Sequence, residues 1–197
     1  MSLRLAQDAD ADALLEADPF ALLTGMLLDQ QIPMERAFAG PAAIARRLGM
    51  ARLDPAEIAA MGEQEFATAL SEQPAVHRFP GSMAARVQAL AATIVAEYDG
   101  DAAAVWTTAS SGADLVARLA ALPGYGQQKA QIFTALLGKQ LDVRPDGWRE
   151  AAGAYGQEGS RRSIADVTGP ESLNEVRAFK KAAKAAAKAH GAESVRQ

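Results

Sequence analysis

Two glycines flank Tyr125 in Leu122-Pro123-Gly124-Tyr125-Gly126, and Lys129-Ala130 follow after two further glutamines. Residues 113–122 before this turn, and Ala130, Ile132, Phe133, Leu136 and Leu137 after it, carry apolar side chains at the spacing of a helix face. Pro123 ends the first helix, and the second opens at about Gly126. Glycine tolerates positive φ and leaves main-chain amides bare. The unpaired N–H groups and the positive dipole end of the second helix therefore meet whatever anion approaches the turn, and a phosphate suits that geometry. The plainer reading is a Pro-Gly-x-Gly link between two packed helices.

The remaining chemistry-bearing residues are few. Carboxylates stand at Asp142 and Asp146 beyond the turn, and the second of these sits in Pro145-Asp146-Gly147, itself a common turn sequence. Gln30 and Gln31 form a polar pair at the end of an apolar stretch. His77, in the loop 73–80, has no companion ligands, so no metal site is expected from side chains. Trp148, Tyr125 and Phe79 are available for stacking, and Trp106 is expected in the core.

Composition narrows the function classes. The chain has 197 residues and no cysteine, which excludes disulfides, thiol catalysis and cysteine-held iron–sulfur clusters. Its histidines are His77 and His190. A net charge of −4 weighs against a generic polyanion binder, but the charge is polarised. Asp8, Asp10, Asp12, Glu16 and Asp18 crowd the start, whereas Lys180, Lys181, Lys184 and Lys188 mark the end. Those lysines read either as a solvated face or as a contact surface. No signal-peptide run and no stretch of membrane-spanning length is present, so a cytoplasmic location is expected, with no membrane partner.

The elements that position these residues read as helices throughout, because no sustained period-two run occurs. Asp18-Pro19 opens an apolar helix over residues 20–30 that Pro33 helps to end. From Met34 two short helices are expected, broken at Gly40-Pro41 and stopped by Gly49. Asp54-Pro55 starts another that Gly62 ends, and a short helix reaches Leu70. Ser82 is expected to cap a long helix that finishes at Asp99-Gly100. Residues 145–160 read as irregular with one short helix, and 170–189 as an alanine-rich terminal helix with Leu173, Val176 and Phe179 as its apolar stripe.

Three segments in order, Leu27-Leu28-Asp29-Gln30-Gln31, the turn Leu122–Gly126 with Lys129-Ala130, and Pro145-Asp146, together resemble the helix-hairpin-helix (HhH-GPD) DNA glycosylases, the superfamily of endonuclease III and the methyladenine glycosylases. The likeness spans roughly residues 20–148. It implies an all-α fold of two lobes with a DNA-binding cleft: one HhH-GPD-like domain over 1–197, with one lobe around 34–121 and the other formed by 1–33 and 122–197. It also implies base excision repair on double-stranded DNA containing a damaged base, by a monomer that associates with the nucleoid when acting. An enzyme of this kind draws the base out of the stack into a pocket.

Residue by residue, the resemblance assigns phosphate binding to Leu122, Pro123, Gly124, Tyr125 and Gly126, with Gln128 and Lys129 beside them. Asp146, 20 positions after Gly126, falls where the family has its catalytic aspartate, with Asp142 as the fallback; a carboxylate stabilises the oxocarbenium character of the departing sugar. Gln31, with Gln30, falls where relatives fill the gap left by the extruded base, and Trp148 is a candidate pocket residue. Relatives with lyase activity carry a lysine where this chain has Gln128, and Lys129 is about 100° further around the helix, so a monofunctional enzyme is implied, with Lys129 directed to DNA backbone or solvent. Asp29 is expected to turn away from DNA. The resemblance implies no iron–sulfur cluster or other cofactor, and allows a monovalent cation at the hairpin carbonyls. Gly147 after Asp146 departs from the family pattern, which keeps open a non-catalytic DNA-binding relative; a helical protein-interaction module is the third reading.

Overall fold

The computed structural model describes residues 2–194, with side chains over 2–187, and these residues form helices joined by loops, with no strand. Eleven α-helices follow in order: α1 (Ala9–Ala17), α2 (Pro19–Leu28), α3 (Met34–Leu48), α4 (Pro55–Ala60), α5 (Glu63–Ser71), α6 (Pro80–Tyr98), α7 (Ala104–Thr107), α8 (Gly112–Ala121), α9 (Gln127–Gln140), α10 (Trp148–Ala151) and α11 (Pro170–Ser194). Two 3-10 turns, Gly153–Tyr155 and Ile164–Asp166, lie between α10 and α11. No described helix is long and apolar enough to cross a membrane. Lys188 and His190 lie outside the described side chains.

Side-chain caps set several boundaries. Asp8 accepts from the Ala11 N–H and starts α1, a helix hidden in the acidic N-terminal stretch. Asp18 starts α2 by accepting from Ala21 at 3.0 Å, while its other oxygen accepts from Leu53 at 2.7 Å and so ties a distant loop to the same cap. Burial pushes the Asp18 carboxyl pKa up, opposed by those backbone N–H groups and by Arg52. Asp54 caps α4 in the same way. The long helix α6 begins two residues before the expected Ser82 cap, with Pro80 in its first turn.

The expected break at Gly40-Pro41 does not occur: α3 runs unbroken with Pro41 inside it. Proline removes one backbone donor, but packing holds the helix together through the missing bond. A Cβ on Gly40 would stand 2.6 Å from Leu28 Cδ1, and one on Gly25 would stand 2.8 Å from the Phe38 ring. The α2 and α3 backbones therefore approach closely through two glycines, and that contact outweighs the local signal for a break.

A continuous apolar core links these helices, with Phe20, Phe38, Phe66 and Phe133 fully buried. Trp106 joins it as expected, its ring 5.9 Å from that of Phe133. Helices α4 and α5 pack on α6, and α8 packs on α9. Helix α2, almost entirely buried, lies against α3 and touches α6, so its C-terminal end is a fixed edge against which α9 brings Lys129.

Candidate functional site

The hairpin forms as the sequence suggests. The Tyr125 N–H donates to the Leu122 carbonyl at 3.0 Å, with Pro123 and Gly124 as the central pair and Gly124 at φ +79°. This is the arrangement of a type II turn, which favours proline first and needs positive φ second. Leu122 is buried, and Tyr125 points inward, its hydroxyl donating to the Leu23 carbonyl at 2.7 Å and its ring edge-on to Phe133. Burial pushes the Tyr125 phenol well above its ordinary pKa.

Gly126 is different. Its φ of −131° and ψ of 179° are ordinary extended backbone, and a Cβ there would meet nothing within 4 Å. Neither strain nor internal packing requires glycine at this position. It is the N-cap of α9 and supplies no side-chain hydrogen bond, so the first amides of a 14-residue helix face outward uncapped.

The start of α9 borders a cavity of about 690 Å3, whose walls include the C-terminal end of α2, the loop 29–33, Tyr155, Arg162 and one side of α11. Gln128 and Lys129 both line it, so Lys129 is not directed away from the space next to position 128. Instead Lys129 Nζ donates to the carbonyls of Met26 at 2.7 Å and Leu27 at 2.8 Å, the electronegative C-terminal end of α2. Burial lowers the Lys129 pKa to about 8; Asp29 opposes the shift and Arg86 adds to it. Gln128 Nε2 donates to the Tyr155 hydroxyl at 2.7 Å.

The two glutamines take different roles. Gln30 is held internally: its Nε2 donates to Leu27 O at 2.8 Å, its Oε1 accepts from Arg86 at 3.0 Å, and its carbonyl meets His77 Nε2 at 2.8 Å. Because the Phe79 N–H donates to His77 Nδ1 at 3.0 Å, Nε2 carries the imidazole proton. His77 is thus a brace for the glutamine loop. Gln31 has φ +58°, is exposed and lines the cavity. It is the amide left to face a ligand.

Asp29, expected to turn away from DNA, lines the cavity and is the one carboxylate among the lining residues. It makes no ion pair within 4 Å or hydrogen bond through its side chain among the described residues. Desolvation raises its pKa; Lys180 and then Lys129 pull it down, and Glu35 pushes it up. Sequence reasoning missed this residue because α11, which closes its surroundings, lies about 150 positions further along the chain.

Asp146 is not brought to this cavity. Its carbonyl accepts from the Gly112 N–H at 2.8 Å, at the start of α8, whereas the hairpin follows the end of α8. Ten helical residues separate the two, roughly 15 Å at 1.5 Å per residue. Asp146 is exposed, and Asp142 pairs with Arg144 at 3.2 Å, also on the surface. Trp148 is not a pocket residue either. It is buried and packs on Gly138 near the C-terminal end of α9, where any Cβ would come within 2.4 Å of its ring, and Arg149 covers it at 4.7 Å. The physical reason is shared: the chain after α9 folds back onto the start of α8, at the opposite end of the helix pair from the hairpin.

Among the described residues no three His, Asp or Glu side chains converge as a metal-binding set. Comparisons with protein-family models, curated proteins and solved structures find no match to this chain.

Proposed function

We propose that this chain is a helix-hairpin-helix DNA-binding protein of the glycosylase type, which grips a backbone phosphate at the hairpin, takes an extruded nucleotide into the neighbouring cavity and hydrolyses its N-glycosidic bond. The observation that carries this reading is the juxtaposition of an uncapped helix N-terminus, at a glycine that nothing inside the protein requires, with a cavity edged by a free glutamine, two lysines and a single carboxylate. A volume of about 690 Å3 falls within the range of ordinary small-ligand sites. On this reading the lobes implied by the resemblance meet at that cavity, and Gln31 reaches the base left without its partner.

The acid in this reading is Asp29, not Asp146. As the C1′–N bond breaks, the electron pair leaves with the base and positive character develops on the sugar. The Asp29 carboxylate stabilises that charge and accepts a proton from the attacking water, whose oxygen bonds to C1′. Lys129, engaged by two carbonyls, holds the α2 end in place and sets the local field. Nothing in this sequence of steps requires a Schiff base, in keeping with a monofunctional enzyme.

A specific observation favours a second reading. The position that matches the family's catalytic aspartate stands at the wrong end of α8 and α9, as would follow if the chain bound damaged DNA without cutting it. One experiment separates the two. Duplexes carrying alkylated, deaminated or oxidised bases are incubated with the wild type, Asp29→Asn and Asp146→Asn, and abasic sites are scored. The enzymatic reading expects product from the wild type and Asp146→Asn, and a loss of at least a hundredfold with Asp29→Asn. Binding without product across the panel selects the non-catalytic reading.

A further inference from the structure

Helix α11 has more length than the fold uses. It packs through Leu173 and Val176 in its first turns, against the 3-10 turn Ile164–Asp166, and every residue from 177 to 187 is then exposed. Those eleven residues extend about 16 Å as a helix whose one large apolar side chain, Phe179, lies half-covered at the cavity wall under Arg162, 5.1 Å from its ring. Alanine supplies the propensity that keeps such an arm helical.

The charges on the arm are one-sided. No acidic residue occurs between Glu175 and Glu193, and Arg177, Lys180, Lys181 and Lys184 all fall within an arc of about 100° at 100° per residue. Ala178, Ala182 and Ala186 lie outside that arc. Arg177 is paired with Glu35, and Lys180 rests 3.1 Å from Met34 Sδ while lining the cavity beside Asp29. Lys181 and Lys184 have no carboxylate within ion-pair distance among the described residues. The cationic stripe thus begins at the cavity rim and runs outward along the arm, on a protein whose overall charge is −4.

We infer that this face of α11 is a second docking surface for the phosphate backbone of duplex DNA, so that strand contacts run from the cavity along Lys180, Lys181 and Lys184. The inference rests on DNA being the ligand of the hairpin and cavity. A row of lysines, of which Lys181 and Lys184 make no ion pair among the described residues, complements a uniform line of negative charge and carries no element for reading sequence. Its contribution is affinity that does not depend on the base.

The test is salt-dependent binding of an undamaged duplex, followed by fluorescence anisotropy between 50 and 200 mM salt. The proteins are the wild type, K180Q/K181Q/K184Q and the hairpin variant Gly126→Glu. Glutamine keeps nearly the helix propensity of lysine, and circular dichroism checks that α11 persists. Three lost phosphate contacts flatten the plot of log affinity against log salt by about 2.7, so over this fourfold change the wild type weakens about 40-fold more than the triple variant. An unchanged slope in the triple variant, beside wild-type binding that Gly126→Glu weakens, overturns the inference and leaves the proposed function standing. Absence of wild-type duplex binding overturns both, and attachment to anionic phosphatidylserine vesicles that requires the three lysines would then assign the stripe to a membrane surface.

Discussion

Replacing Lys129 by methionine should abolish a rise in stability at alkaline pH that the wild type displays. The folded protein buries the Lys129 ammonium against two carbonyls and lowers its pKa from 10.5 to about 8. Unfolded, the same amine holds its proton up to about 10.5. Between those values the unfolded chain binds more protons, so stability increases with pH. Below pH 8 the full penalty for the buried charge is present, and it is relieved as pH climbs toward 10.5. Between pH 7 and pH 9.5 the wild type should gain about 2 kcal/mol relative to Lys129→Met, an upper figure that follows from about 1.4 kcal/mol per tenfold shift in proton affinity. Urea unfolding of both proteins, followed by circular dichroism at several pH values in that window, gives the difference directly. Tyr125, whose phenol pKa is pushed up by burial, acts in the opposite direction at higher pH but in both proteins alike, so it cancels. Parallel stability curves for wild type and variant, or a wild-type decline over this window, would refute the picture of a desolvated ammonium at the end of α2.

The two hairpin glycines should respond in opposite ways to alanine. Gly124→Ala forces a side chain into φ +79° beside Leu27 Cδ1 at 3.2 Å and should lower stability by about 1–2 kcal/mol in denaturant melts. Gly126→Ala should leave stability within about 0.5 kcal/mol yet weaken duplex binding, because the added methyl stands only in the way of an external ligand. Gly138→Ala should destabilise by about 1–3 kcal/mol despite better helix propensity, since its Cβ would press on the Trp148 ring at 2.4 Å; cavity binding, at the other end of α9, should be unchanged.

What could be read from the sequence divides by range. Asp18-Pro19, Asp54-Pro55 and Leu122–Gly126 were legible because a cap or a turn is made by residues within three or four positions of one another. Gly40-Pro41 misleads for the same reason: the local rule predicts a break, whereas Leu28 and Val76, distant in sequence, make a continuous α3 the better-packed state. Helix α1 is concealed because its buried residues are few, Ala11, Asp12 and Leu15, and its cap is one aspartate among several.

At the site, the hairpin turn and the place of Gln31 follow from nearby residues, whereas the burial of Tyr125 under Phe133 and the Leu23 carbonyl does not. Asp146 does not, because a spacing of 20 counts residues and not the path they take. After α9 the chain turns back to Gly112, and the carboxylate travels with it. Asp29 and the α11 wall were invisible for the complementary reason: their proximity depends on where a helix that begins at residue 170 comes to rest. Gln30 and His77 are a further case, since a hydrogen bond across 47 positions turns an apparent functional pair into one brace and one free amide.

The most direct test of the central claim, that hairpin and cavity together hold an extruded nucleotide, compares affinity for an undamaged duplex with that for the same duplex carrying a stable abasic-site analogue. Extrusion costs a few kcal/mol in an intact duplex and least where no base is paired, so binding to the analogue should be at least tenfold tighter, with Gly126→Glu weakening both. Equal affinity for the two duplexes, or binding that Gly126→Glu leaves untouched, would contradict the account.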